Sequence, residues 1–343
     1  MRRLLPTAAA TLVLAGLVAG CSSTAAGHDS TSTSTTTVPT TTIPSAVVPG
    51  TTESGSLAFL GSVRRVPVMP VPAGDDSTVV PAPGTAAYRD VVTVAYRQFG
   101  AGRPLLLIPG EDATMSWWPP AFLSDLAAHF RVTIFDLPDT GYSGPEPSEE
   151  TLASLADVTA GLVSELGLVR PLVAGWGLGG QVALLLATRH RHLAPALVLL
   201  DTGLPIAGAV GEGRVARRLL SSLSVTPVTF AALALSSVGA RTTWLDTLDS
   251  EIPDVCTTSG IAAEAGLEAL VWRERDFARK LGSLKLSVLL VVGSDDAVFP
   301  EKDSSSLRAA LAHSKLEVVN GAGYLSFSND ASQVAAAVAT FSG

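Results

Sequence analysis

The sequence predicts an α/β fold, with a mostly parallel central sheet, helices on both of its faces and a helical cap inserted late in the sheet. Three observations carry that expectation. From about Tyr88 onward, short apolar runs of the kind that make fully buried strands alternate with longer segments of helical periodicity. The run Asp90-Val91-Val92-Thr93-Val94-Ala95-Tyr96-Arg97 alternates instead, as a strand does when its two faces meet different surroundings. The pattern then lapses between Ile206 and about Lys285, where helix-like pieces occur without clear strands, and resumes afterwards.

The elements follow in order. Leu105 to Ile108 (LLLI) comes after a Gly-Ala-Gly-Arg-Pro turn and reads as a buried strand. A helix is expected over about Ala121 to His129, a strand over Val132 to Phe135, and a helix over about Leu152 to Leu166. Leu152, Leu155, Leu162 and Leu166 share one face of that helix. Leu172 to Ala174, Ala196 to Leu200 and Ser287 to Val292 read as further strands, and Gly179 to Arg189 and Glu301 to Ala312 as helices. Within the lapse, Arg214 to Leu220 and Gly266 to Leu281 are helix-like, and Arg273 to Lys280 (RERDFARK) reads as a solvated helix face. The core is therefore expected over 86–205 and 286–343, with the cap over 206–285.

With 343 residues, 47% hydrophobic and 16% charged, the folded part can build a substantial core. The formal net charge of −8 disfavours nucleic acid and offers no basic patch for anionic lipid. No run has metal-ligand spacing and no G-x-G-x-x-G follows a strand, so the sequence implies neither a metal nor a dinucleotide cofactor.

Met1-Arg2-Arg3 followed by the apolar Leu4 to Val18, too short to span a bilayer comfortably, reads as an export signal over 1–20. It ends Leu17-Val18-Ala19-Gly20-Cys21, which resembles a bacterial lipobox. That resemblance implies cleavage before Cys21, acylation of its thiol and new amino group, and residence on the extracytoplasmic side of a bacterial cell membrane. The alternative is an ordinary signal peptide with a chance cysteine. Several acyl chains, each contributing about 0.8 kcal/mol per buried CH₂, would hold the protein firmly.

Cys256 is then the one remaining cysteine, which excludes an intramolecular disulfide and leaves either a reactive thiol or a small buried hydrophobe. Residues 21–85 are dominated by Thr, Ser, Pro, Ala and Gly, and Thr31 to Pro44 (TSTSTTTVPTTTIP) is nearly pure Thr/Ser/Pro. Such a segment buries too little surface to offset its ordering entropy and reads as a flexible tether whose threonines could carry sugar. Val63 to Val71 (VRRVPVMPV) reads as an extended arm packed locally against the domain.

Five motifs lie in register with one family. Leu105 to Gly110 (LLLIPG) resembles the strand and turn before an oxyanion loop, and Phe135 to Ser143 (FDLPDTGYS) a strand-plus-loop of the form F-D-x-x-G-x-G-x-S. Gly175-Trp176-Gly177-Leu178-Gly179-Gly180 resembles a nucleophile elbow. Gly293-Ser294-Asp295-Asp296 through Pro300 resembles the loop of a triad acid, and Gly321-Ala322-Gly323-Tyr324 the loop that ends in a catalytic histidine. From about Tyr88 to Gly343 the chain thus resembles the α/β-hydrolase family, over roughly three quarters of its length.

The resemblance implies triad positions at Gly177, Tyr324 and Asp296, and of these only the acid is present. Glycine has no side chain with which to form an acyl-enzyme, and a phenol with a pKa near 10 is a poor base at neutral pH. Pro109 stands where the oxyanion loop commonly has His. The backbone N–H groups of Glu111 and Leu178, with Gly110 beside them, could still form an oxyanion pocket, although the Glu111 carboxylate would oppose developing negative charge.

Other groups offer no replacement. His28 lies in the tether, and His129, His190, His192 and His313 read as solvated residues near the far ends of helices. His190 falls roughly 20 Å along its helix from Gly177. Ser116, Ser143, Ser326 and Ser328 read as caps or loop-shaping groups, and Asp295 as a loop or capping group beside Asp296. Asp296 could instead bond to Tyr324. Trp117, Trp118 and Trp176 either line a ligand pocket or simply pack, with Trp176 the best pocket candidate because it adjoins the elbow.

The expected function is a membrane-anchored hydrolase-fold lipoprotein without serine-hydrolase catalysis, binding a small apolar or lipidic ligand or a protein partner. Two alternatives stand beside it. One is an active hydrolase of esters, lactones or epoxides using Glu111, Asp296 and Tyr324, and the other is a purely structural envelope protein with a vestigial cleft.

Overall fold

The computed structural model describes residues 57–72, 90–110, 113–145, 151–203, 227–236, 238–249 and 277–341. The expected signal, Cys21, the Thr/Ser/Pro tract, Glu111, Cys256 and the helix-like 214–220 lie outside the described residues.

Eight strands form one sheet: β1 (Arg64–Val68), β2 (Val92–Gly100), β3 (Arg103–Ile108), β4 (Phe130–Phe135), β5 (Leu172–Trp176), β6 (Ala196–Leu200), β7 (Ser287–Gly293) and β8 (Ser314–Val319). Their order is β1-β2-β4-β3-β5-β6-β7-β8. β2 runs antiparallel to both of its neighbours, and every other adjacent pair is parallel.

Nine described helices accompany the sheet: α1 (Pro120–Ala127), α2 (Leu152–Glu165), α3 (Leu178–Arg189), α4 (Pro227–Ala234), α5 (Val238–Asp249), α6 (Phe277–Gly282), α7 (Glu301–Ala310), α8 (Ser326–Asn329) and α9 (Ala331–Phe341). Local chemistry sets several of their ends. Pro120 opens α1, where a missing N–H costs nothing. A reciprocal capping box of Thr151 and Ser154, with both bonds at 2.9 Å, starts α2.

The side-chain period of two divides the core cleanly between the faces of the sheet. Leu105, Leu107, Leu172, Ala174, Trp176, Val198 and Leu200 face α1 and α9. Leu106, Ile108, Val173, Leu197 and Leu199 face α2, α3 and α7. Trp176, the last residue of β5, therefore points into the first layer, and this placement shapes the site.

Three elements differ from the sequence reading. Residues 64–68, counted there with the tether and its extended arm, pair along β2 from Arg64–Tyr96 to Val68–Val92 and make an edge strand. β8 carries a charged, half-exposed sequence (SKLEVV) and α9 is rich in alanine, so neither shows the strong periodicity that marks an element. α4 and α5 occupy part of the span expected to form the cap. Among the described residues, no helix is long and apolar enough to cross a membrane.

Candidate functional site

The turn from β5 to α3 has the geometry of a strand-to-helix elbow. Gly177 adopts φ 54° and ψ −118°, a conformation glycine takes freely and other residues take only with strain. Its N–H donates to the Leu200 carbonyl at 3.1 Å, and its own carbonyl accepts the Gly180 N–H at 3.1 Å. The turn is so tight that a Cβ on Gly175 would clash with the Gly179 carbonyl. Tight backbone packing persists at the elbow, while position 177 presents no side chain.

Aromatic rings fill the surroundings. Trp176 is 1% exposed, and its Nε1 donates to the Tyr324 carbonyl at 3.1 Å. Its ring lies 5.3 Å from that of Tyr324, 5.6 Å from Phe327, 6.1 Å from Trp117 and 6.4 Å from Trp118. The indole also presses on the loop after β3, where a Cβ at Gly110 would come within 2.5 Å of it. Phe230 from α4 and Trp244 from α5 close the cluster, with rings 4.9 Å and 5.1 Å from Trp117.

Of the three tryptophans read as pocket-lining or packing residues, Trp117 and Trp118 thus both pack on Trp176, Trp117 and Trp176 also on α4, and Trp118 on Phe122 and Phe327. Leu178, which opens α3, is fully buried. The cluster nevertheless holds unpaired polar groups, because Nε1 of Trp117, Trp118 and Trp244 is buried without a hydrogen-bond partner. Each such donor costs on the order of 1–3 kcal/mol.

Two carboxyls sit at the ends of β6 and β7. Asp296 Oδ1 accepts the N–H groups of Val298 at 2.7 Å and Phe299 at 2.9 Å, while Oδ2 is buried with no partner. The anticipated Asp296–Tyr324 hydrogen bond is therefore not formed. Turn geometry satisfies one carboxylate oxygen, and the tyrosine backbone is engaged by Trp176. Asp201 is fully buried at φ 45°, accepting Gly293 N–H at 3.1 Å and both the N–H and the hydroxyl of Ser326, at 2.9 and 2.8 Å.

Burial pushes Asp201 up to about 8 against the donors that favour its anion. Burial, and then the neighbouring Asp201 charge, raise Asp296 well above the usual carboxylate range. Asp201 thus favours its protonated form near neutrality and Asp296 is pushed in the same direction, whereas a triad acid must stay ionised to orient a histidine.

Most of the remaining candidates have structural employment. Ser143 Oγ accepts the Ala95 N–H and donates to the Asp136 carbonyl, at 2.9 and 2.7 Å. Ser116 Oγ lies 2.7 Å from Thr114 Oγ1, Asp295 accepts from Ser294 Oγ at 3.1 Å, and Ser328 Oγ is buried without a partner. Asp136 Oδ1 and Oδ2 accept the N–H groups of Met115 and Tyr142 and so organise the 136–144 loop, while burial raises its pKa to about 6.

His129, His192 and His313 are exposed, as read. His190 is not: it is buried, with Nε2 2.9 Å from Asp157 Oδ1, and Arg189 clamps the same carboxylate. A helix C-terminus was expected to be wet, but α2 covers this one. Among the described residues, no group of three His, Cys, Asp or Glu could hold a metal ion.

Sequence reasoning missed Asp201, Phe230, Trp244 and Phe327. Only Asp201 had a usable signal, since it directly follows a strand at the carboxyl edge of a parallel sheet, where sites gather. The aromatics come from a cap and a short helix without clear periodicity.

Known proteins share this architecture. Residues 105–337 match the model of the alpha/beta hydrolase family. An uncharacterized protein of Mycobacterium tuberculosis is 26% identical over 272 residues, spanning 73% of this chain and 78% of that protein. The pimeloyl-[acyl-carrier protein] methyl ester esterase of Pseudoalteromonas atlantica is 26% identical over 231 residues, 64% of this chain and 86% of its own. A thermophilic esterase from Thermogutta terrifontis superposes with a TM-score of 0.62 at 24% identity, covering 81% of this chain and 97% of that one. With the sheet order, the elbow and a family match over most of its length, the chain belongs to the alpha/beta hydrolase family.

Proposed function

We propose that this protein is a membrane-anchored lipoprotein of the family that has lost acyl-transfer chemistry and binds a small apolar ligand beneath its cap. The observation that carries the reading is the replacement of a reaction centre by packing. A side-chain-free Gly177 follows a buried Trp176 whose indole is bonded to Tyr324, the residue in the base's place. Without a nucleophile and base there is no group to attack an ester carbonyl and none to carry the proton. The clustered rings are apolar and aromatic, the chemistry that walls small-molecule sites. The lipobox-like Leu17 to Cys21 supports the anchor and its extracytoplasmic side.

The full chain incubated with short- and medium-chain esters and fatty acids should show a saturable rise in melting temperature and no turnover above background. A ligand at a hundredfold its Kd stabilises by about 2.7 kcal/mol. Trp176→Phe, which keeps most of the ring bulk but loses the bond to Tyr324, should weaken that shift. Turnover by the wild type, or no shift with any compound, would contradict the reading. The anchor is tested separately: a metabolically incorporated palmitate analogue should label the wild type and not Cys21→Ala.

A further inference from the structure

We propose that Trp117 and Trp244 form a hydrogen-bonding clamp for a small neutral carbonyl compound, held between the loop after β3 and cap helix α5. The inference rests on the ligand-binding reading above and names the chemistry of that ligand. Trp117 ends the single helical turn Met115–Trp117, and Trp244 belongs to α5. Their rings stand 5.1 Å apart at 79°, and the residues are 5% and 2% exposed. Both indole N–H groups lack a partner, whereas Trp176 in the same cluster finds the Tyr324 carbonyl.

Two unpartnered donors, buried on rings that touch edge to face, call for an acceptor that arrives from outside. Phenylalanine would fill similar space without the unmet donor, so the indole nitrogens need a reason to be there. The rings flanking the pair, Phe230 at 4.9 Å from Trp117 and Trp176 at 6.1 Å, carry no charge. Uncharged ring walls favour a neutral acceptor such as a ketone, ester or amide carbonyl over an anion. An apolar body would lie on the rings while the carbonyl oxygen takes the indole protons, tying the cap helix to the core loop.

The test uses the full chain and phenyl alkyl ketones of graded chain length, each paired with the terminal alkene that replaces C=O by C=CH₂, and benzoate. Ketones should bind about five- to tenfold more tightly than their alkenes, the worth of one hydrogen bond. Trp117→Phe and Trp244→Phe should each erase that preference while alkene binding persists, which also shows that the variants fold. The indole N–H signals of Trp117 and Trp244 should move downfield with ketone and stay in place with alkene. Equal affinities with unmoved indole signals would overturn the clamp, leave an apolar pocket only, and spare the proposed function. Tighter binding of benzoate would overturn the neutral acceptor. No binding of any compound would overturn both the clamp and the ligand reading.

Discussion

Gly177 and the buried acids are where the proposed loss of acyl transfer can be tested one residue at a time. At φ 54°, a serine restored to position 177 would sit in a strained conformation, costing on the order of 1–3 kcal/mol. Gly177→Ser alone should lower the melting temperature and give no esterase, because Tyr324 supplies no base; an unchanged melting temperature would contradict the strain. The carboxyls predict a pH dependence. Asp136 and Asp201 titrate near 6 and 8 in the folded state, above an unfolded value of 3.8. With folded pKa values raised, their stabilising contribution is complete below about pH 4 and is lost as pH rises through 6 and then 8. Melting temperature should therefore fall from pH 5 to 8.5. Asp296→Asn keeps an oxygen for Val298 and Phe299 while removing a charge beside Asp201, so it should narrow that fall and be stabilising at pH 8.5. A flat wild-type profile, or a variant as pH-sensitive as the wild type, would contradict the assignment. Gly177 and Tyr324 were legible as letters at the positions the resemblance assigns, but the buried acid pair was not, because Asp201 acquires its meaning only where β6 and β7 end side by side.

At the scale of elements, two junctions hold the site. The β5–α3 turn leaves no room for a Cβ at Gly175, which faces the Gly179 carbonyl. Gly175→Ala should cost roughly 1–3 kcal/mol by overpacking, read as a shift in urea midpoint without a change in slope. The second junction joins α2 to α3, where Asp157 receives Arg189 at 2.6 Å and His190 at 2.9 Å. Asp157→Ala should destabilise by about 3 kcal/mol or somewhat less, since His190 stays buried while Arg189 still reaches water. A loss under about 0.5 kcal/mol would mean that the pair only decorates the helix ends. The parallel strands were readable because their apolar runs are continuous and they are buried on both faces. β8 was not, since Lys315 and Glu317 interrupt its pattern at the sheet edge. His190 was misread because helical position fixes a residue's face only after the neighbouring helix is known.

For the whole molecule, family motifs spaced along the chain pointed to a mostly parallel sheet flanked by helices, and the structure has one. What the sequence could not convey is that Trp117, Trp176, Phe230, Trp244 and Tyr324, drawn from five separate segments, converge in one cluster beside Gly177. Aromatic residues carry no periodic mark for such a meeting. On the proposed reading the loss of chemistry is a property of the assembled site and not of one letter, so Gly177→Ser with Tyr324→His should remain far below esterase rates while the indoles stay packed. The central claim is that the wild-type protein forms no acyl-enzyme. Incubation of the full chain with a fluorophosphonate probe, followed by intact-mass measurement, tests it most directly. The mass should stay unmodified under conditions that label an active esterase to completion; a one-to-one covalent adduct would contradict the proposed loss of acyl transfer.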